Sequence, residues 1–237
     1  MNNNNIPVAE STQSQSVAPD QKRTVFVVDD HPLLRQGLAL LINQERDLKV
    51  CGEAEDAHTA MTAIAASKPD ILIADISLKG PDGLDLLKNL RAYYPDLPVL
   101  ILSMHDESIY AERALRARAN GYIMKQEATE KVLVAVRRIL GGDVYLSDRM
   151  ANKLLHQYIN GASPDLNSRL SILSDRELEV FRLIGEGRGT RQIAESLHLS
   201  IKTVETYQAH IKSKLSLRSG RELVQDAIQS KIGDKQA

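Results

Sequence analysis

The sequence predicts a doubly wound α/β domain, with helices on both faces of a parallel five-stranded sheet, followed by a separate all-α helix-turn-helix domain. Two observations predict it. From Thr24 to Leu140 short, unbroken apolar runs alternate with helical patterns, as strands buried on both faces require. From Leu173 to Leu215 three helical patterns follow one another across short turns. A chain of 237 residues has room for both domains.

Taken in order, residues 1–22 are rich in Asn, Ser and Gln with few bulky apolar side chains, so a disordered tail is expected. The strands are expected at Val25–Val28, Lys49–Cys51, Ile71–Ala74, Val99–Leu102 and Tyr122–Met124. The helices are expected from Pro32 to about Gln44, Ala57 to Ser67, Gly83 to Tyr93, Glu107 to about Ala117 and Ala128 to Leu140, with Gly141 and Gly142 closing the last. From Asp148 to about Asn160, Met150, Leu154, Leu155 and Tyr158 recur at helical spacing and predict a linker helix that packs on something. Gly161 to Ser171 is polar and expected to be flexible. The expected boundaries are a tail at 1–22, a first domain at 23–141, a linker at 142–168 and a second domain at 169–233.

In the second domain, Ser174 or Asp175 can cap a helix whose apolar positions are Leu178, Phe181 and Ile184, and Gly187 and Gly189 end it. A short helix from Thr190 to Leu197 turns Ile193, Ala194 and Leu197 inward, and Ser200 suits the N-cap of the next. On that third helix, at about 100° per residue, Val204, Gln208, Ile211 and Leu215 share one side, and Lys202, Thr206, Ala209 and Ser213 the other. A small, polar outward face lets a helix sit deep in a DNA major groove. The methyls of Thr206 and Ala209 can then meet a thymine methyl, and Glu205 can accept from a cytosine amino group. Arg191, Lys202, Lys212 and Lys214 are placed to reach phosphates. With Thr203, these residues form the expected DNA-contacting set; a three-helix bundle with a solvated surface is the competing reading. A last helix, from about Arg221 to Lys231, carries Leu223, Val224, Ala227 and Ile228. That is more apolar width than a small core needs, so Val224 and Ile228 are expected to pair two copies.

The first domain carries its chemistry at the strand ends, where ligands bind in such sheets. Strand one ends in Asp29-Asp30, strand three in Asp75, strand four in Ser103 and strand five in Lys125. Three carboxylates at one mouth repel unless a cation is bound, and hard oxygen ligands suit Mg2+. A carboxylate beside Mg2+ can attack a phosphoryl group and become an acyl phosphate, whose charge Mg2+, the Lys125 ammonium and the Ser103 hydroxyl can meet. Singly, Asp29 or Asp30 also suits a helix cap and Lys125 an ordinary surface. Together, five such residues at strand ends favour a site. His31 and His105 are read as bystanders rather than general bases, and Cys51 as core.

The 30 basic and 31 acidic residues hide an asymmetry: residues 21–145 carry a net charge of −2 and residues 165–237 a net charge of +2, the sign a DNA-binding second half needs. The single cysteine excludes an internal disulfide and suits a reducing compartment. No apolar run approaches the roughly 18 residues of a membrane span, and the start lacks a signal peptide's layout. A cytoplasmic location without membrane contact is therefore expected.

Two resemblances sharpen this reading. The run "LSDRELEVFRLIGEGRGTRQIAESLHLSIKTVETYQAHIKSKL" resembles the LuxR-type helix-turn-helix, through Leu173, Ser174, Arg176, Glu177, Ile193, Ala194, Ser200, Lys202, Thr203, Val204, Lys214 and Leu215. It departs at Tyr207 and at Thr190-Arg191-Gln192. The runs "VFVVDDHPLLRQGL", "DILIADISLKGPDGLDLL", "VLILSMHDES" and "GYIMK" resemble the flavodoxin-like receiver domain of two-component response regulators. The order of the two is that of the NarL/FixJ type. The resemblance implies Asp75 as phosphoacceptor; Asp29, Asp30, Asp75 and the Ser77 carbonyl as Mg2+ ligands; and Ser103, Lys125 and Tyr122 as switch residues. It places Ser77 and His105 where phosphoryl lifetime is tuned. Lys79 and Pro81 depart from pattern after Asp75, and Arg118 stands at a helix end that usually holds Gly.

The expected function is phosphorylation-dependent transcriptional regulation, not enzymatic turnover. A sensor histidine kinase would phosphorylate Asp75, and a homodimer would then bind promoter DNA and act on RNA polymerase. In the inactive state the receiver is expected to cover part of the third helix. A metal-dependent phosphotransfer enzyme would share the acidic pocket, a DNA-bending protein the helix-turn-helix, and a phosphorylation-independent regulator both.

Overall fold

A computed structural model describes residues 22–78, 83–104, 107–160, 169–170 and 172–233. The expected tail, the Lys79–Pro81 departure, His105, the Tyr158 side chain and the 161–168 linker lie outside these described residues. The first half is a parallel sheet of β1 (Arg23–Val28), β2 (Leu48–Ala54), β3 (Ile71–Asp75), β4 (Val99–Ser103) and β5 (Gly121–Met124) in the order β2-β1-β3-β4-β5. Between the strands run α1 (Pro32–Asn43), α2 (Ala57–Ser67), α3 (Gly83–Tyr93) and α4 (Glu107–Arg116), and α5 (Ala128–Leu140) follows β5.

The unbroken apolar runs behave as their composition requires, since all of β3 and β4 is buried. The order reverses beside β1, which pairs with β2 on one side and β3 on the other. The mouth between β1 and β3 therefore opens where Asp29-Asp30 and Asp75 end their strands. Pro32 opens α1 and Asp56 caps α2 by accepting from the Thr59 amide at 2.8 Å. Gly142 turns the chain out of α5 at φ +95°. Arg118 does take the left-handed conformation, φ +68°, in the turn before β5.

The linker helix α6 (Asp148–Asn160) finds its packing partner on α4. Met150 is buried, the Ser147 hydroxyl donates to the Glu107 carboxylate, and Lys153 donates to the Ser108 carbonyl at 3.2 Å.

The second half comprises α7 (Asp175–Gly185), α8 (Thr190–Ser196), α9 (Ile201–Lys214) and α10 (Gly220–Gly233). Ser174 and Glu177 cap α7 reciprocally: the Ser174 hydroxyl accepts from the Glu177 amide, and the Glu177 carboxylate accepts from the Ser174 amide. Ser200 caps α9, accepting from the Thr203 amide at 3.0 Å. Gly187 takes φ +81° after α7, whereas Gly189, expected to end that helix, instead serves as the N-cap of α8. Helix α10 crosses α7 so closely that a Cβ on Gly185 would lie 2.6 Å from the Ala227 carbonyl oxygen. Leu223 and Ala227 are buried there, while Val224 and Ile228 stay 43% and 42% exposed.

The two halves touch through α7. Its Asp175, Arg176 and Glu179 are buried, which an isolated helix-turn-helix does not require. Arg113 of α4 donates to Asp175 at 2.8 Å and to the Leu173 and Leu170 carbonyls, and Lys88 of α3 lies 3.1 Å from Asp175. Arg176 donates to the Leu78 carbonyl and pairs with Glu179, and the Arg182 guanidinium lies over the Tyr110 ring. The expectation that the first domain covers the third helix is thereby corrected. Lys202, Glu205, Thr206, Ala209, Ser213 and Lys214 on α9 are all exposed, because the polar groups that bond to the receiver are offered by α7 and the residues just before it.

Candidate functional site

Four strand-end residues, Asp29, Asp30, Asp75 and Lys125, meet in one pocket, and Ser103 ends β4 beside β3. Asp29 and Asp75 are each 1% exposed and Ser103 is fully buried, while Lys125 reaches inward from the turn that follows β5. The Lys125 ammonium lies 2.7 Å from Asp75 Oδ2 and 2.8 Å from Asp29 Oδ2. The other oxygen of Asp75 accepts from the Ser77 amide at 3.0 Å. Tyr122 is buried two strands from Asp75, on β5. Burial pushes the Asp75 carboxyl above the usual range; Lys125 opposes this, Asp29 adds to it, and the net direction is up.

The pocket holds more acceptors than its own donors satisfy. Asp29 Oδ2 and Asp30 Oδ1 are buried and accept no hydrogen bond, their nearest polar neighbours being the Lys125 ammonium at 2.8 Å and the His31 imidazole at 2.7 Å. The Asp29, Asp30, His31 and Asp75 side chains offer ligand atoms all within 4.8 Å of one another. Hard carboxylate oxygens left without hydrogen-bond donors suit a divalent cation, so the residues present fit Mg2+.

The sequence reading missed Arg35 and gave His31 no part in the site. Arg35 donates to the Asp29 carbonyl at 2.6 Å and pairs with Glu53, fixing the backbone behind the acidic pair. Its place one helical turn beyond His31 was the available signal. His31, read as a bystander, turns its ring into the pocket, with Nδ1 2.7 Å from Asp30.

On α9, Val204, Ile211 and Leu215 are buried, and Gln208 is half-buried and donates to the Thr190 hydroxyl. Lys202, Glu205, Thr206 and Ala209 are exposed together, with Lys212 half-buried beside them. Thr203 is not free in the same way, since its hydroxyl bonds to Ser200 at 2.7 Å within the cap. Lys214 is held at 2.6 Å by the buried Glu177 carboxylate, and Arg191 by Glu195 at 3.2 Å on the exposed face of α8.

Comparison with known proteins agrees with both halves. Residues 25–137 match the family described as response regulator receiver domain, and residues 171–227 that described as bacterial regulatory proteins, luxR family. The chain is 37% identical over 214 residues to the oxygen regulatory protein NreC of Staphylococcus carnosus, covering 89% of this chain and 99% of that one. Among solved structures, RcsB of Salmonella enterica serovar Typhimurium, bound to the promoter rprA with a phosphomimetic, is 26% identical over 87% of this chain and 98% of its own, with a TM-score of 0.57. A LuxR-family response regulator from Aurantimonas is 30% identical over 59% of this chain and 99% of its own, with a TM-score of 0.55.

Proposed function

Because the chain belongs to the NarL/FixJ-type two-component response regulators, in which a receiver precedes a LuxR-type DNA-binding domain, we propose that it is switched by phosphorylation of Asp75 and answers by binding promoter DNA. The observation that carries this is Lys125 bridging Asp29 and Asp75, which holds the Asp75 carboxylate at the mouth with its charge already partly matched.

In the proposed reaction a carboxylate oxygen of Asp75 attacks the phosphorus of a phosphohistidine on a sensor kinase. The phosphorus–nitrogen bond breaks, the imidazole leaves with the electron pair, and an acyl phosphate remains on Asp75. Asp29, Asp30, Asp75 and the Ser77 carbonyl would hold Mg2+, which supplies charge neutralisation at the phosphoryl oxygens when bound. Lys125 keeps Asp75 aligned and answers the added charge, and the Ser103 hydroxyl donates to the new oxygens.

Ser103 is followed four residues later by Glu107, where α4 begins. A rearrangement at Ser103 and Tyr122 therefore acts on the helix that carries Arg113, the residue gripping α7. Release of that grip frees the C-terminal domain, counted from about residue 169, from the receiver, counted as 23–141, with 142–168 as the link. Freed domains pair through Val224 and Ile228 and place two copies of α9 on adjacent half-sites, with Lys202, Glu205, Thr206, Ala209 and Lys212 facing the groove. Contact with RNA polymerase and a cytoplasmic location complete the reading. No helix among the described residues is long and apolar enough to cross a membrane.

The test is to incubate the full-length protein with Mg2+ and a small phosphodonor and map acid-labile phosphate. Labelling confined to Asp75 and abolished in D75N is expected. Labelling that persists in D75N sinks the assignment, and promoter affinity unchanged by labelling favours a phosphorylation-independent regulator.

A further inference from the structure

We infer that His31 is a nitrogen ligand of the pocket, so that a borderline first-row transition ion such as Co2+ is held by the carboxylates and the imidazole together, whereas Mg2+ is held by oxygens alone. This rests on the reading above that the pocket takes a divalent cation. The His31 amide donates to Asp29 Oδ1 at 2.8 Å, which anchors the residue at the rim. Its Nδ1 lies 2.7 Å from Asp30 Oδ1, 3.2 Å from Asp29 Oδ1 and 3.9 Å from Asp75 Oδ2, with the Lys125 ammonium 3.5 Å away.

Lys125 engages Oδ2 of both Asp29 and Asp75. Nearest the imidazole nitrogen are Asp29 Oδ1, which among the described residues accepts only from the His31 amide and ring, and Asp30 Oδ1, which is buried without a hydrogen bond. These atoms form a mixed nitrogen and oxygen donor set. Oxygen-only sets suit Mg2+, while imidazole raises affinity for ions later in the Irving–Williams order. The His31 side chain is 61% exposed, so packing does not hold the ring in place. It can exchange a carboxylate contact for a metal bond without disturbing the core.

The rival explanation is that His31 faces the carboxylates as a substitute cation and must leave when a metal arrives. The two differ in sign, and metal titration of the unphosphorylated full-length protein separates them. Mg2+ and Co2+ binding are measured by calorimetry for wild type, H31A and the doubly substituted D29N/D30N, and the Co2+ visible absorption is recorded for each. Loss of the imidazole is expected to weaken Co2+ binding by about tenfold or more and to change Mg2+ binding by less than about twofold. The Co2+ absorption should shift in H31A. Equal losses for both ions, an unshifted Co2+ spectrum, or Mg2+ binding that tightens in H31A overturns the inference. If D29N/D30N binds both ions as well as wild type, the cation reading of the pocket fails instead.

Discussion

Glu177 carries several roles in one side chain. It caps α7 with Ser174, sits 2.6 Å from the Lys214 ammonium and has His210 3.6 Å away. Burial works to raise its carboxyl, but the Lys214 and Ser174 bonds prevail and the net direction is below the ordinary 4.5. A carboxylate lowered on folding stabilises the native state above its unfolded value, and that contribution is lost as pH falls through the folded value. The wild-type C-terminal half should therefore lose stability as pH drops below about 4.5, and E177Q should be less stable at neutral pH by about 1 kcal/mol and less sensitive to acid. Thermal unfolding at pH 7 and pH 4 checks both. Lys214 is thus committed to the fold. K214A should cost stability while leaving the salt dependence of DNA binding nearly intact, whereas K212A should reduce the salt slope by about 1. Equal slopes for the two variants would return Lys214 to the DNA surface.

At the scale of elements, the exposed face of α9 is where base preference should reside. Substituting Thr206 or Ala209 should change which sequences are favoured, and a binding-site selection that returns the same preferences for wild type and variant would remove these residues from the groove. Helix α10 divides its apolar residues between Leu223 and Ala227, which pack on α7, and Val224 and Ile228, which remain outside. V224D/I228D should leave folding intact, since neither side chain is in the core, and should abolish cooperative occupancy of paired half-sites. The turn at Arg118 is strained by its φ of +68° and held by Arg91, which donates to its carbonyl at 2.7 Å. R118G should raise receiver stability by about 0.5–1 kcal/mol, read from denaturant unfolding, because glycine adopts that region without a Cβ penalty.

Across the whole molecule, the contact between halves is built on α7 and joins a continuous apolar cluster to charged bonds, with Arg113 bonded to Asp175 and two carbonyls, and Arg176 to the backbone next to the pocket. Removing one partner leaves buried acceptors without donors, which is costly. R113A should thus shift the protein toward separated domains, seen as a larger radius of gyration by small-angle scattering. Since the outward face of α9 is exposed while the domains are docked, a C-terminal fragment beginning near Asp165 should bind a single half-site within about twofold of the unphosphorylated full-length protein. A much tighter fragment would mean that docking hides α9 after all.

The chain order of strands and helices, the convergence of Asp29, Asp30, Asp75 and Lys125, and the outward face of α9 were all legible in the amino-acid sequence. Periodicity and chain direction suffice for these: a parallel sheet brings every strand's carboxyl end to one edge, and a helix presents each face at its own spacing. Which charges are spent inside the molecule was settled by packing. Lys214 lies 37 residues from Glu177, Arg113 lies 62 from Asp175, and Arg176 lies 98 from Leu78. A charged side chain reads the same in a sequence whether it ends in water or against a distant carboxylate or carbonyl. What distinguishes the two is desolvation, which only the packing of one element on another imposes.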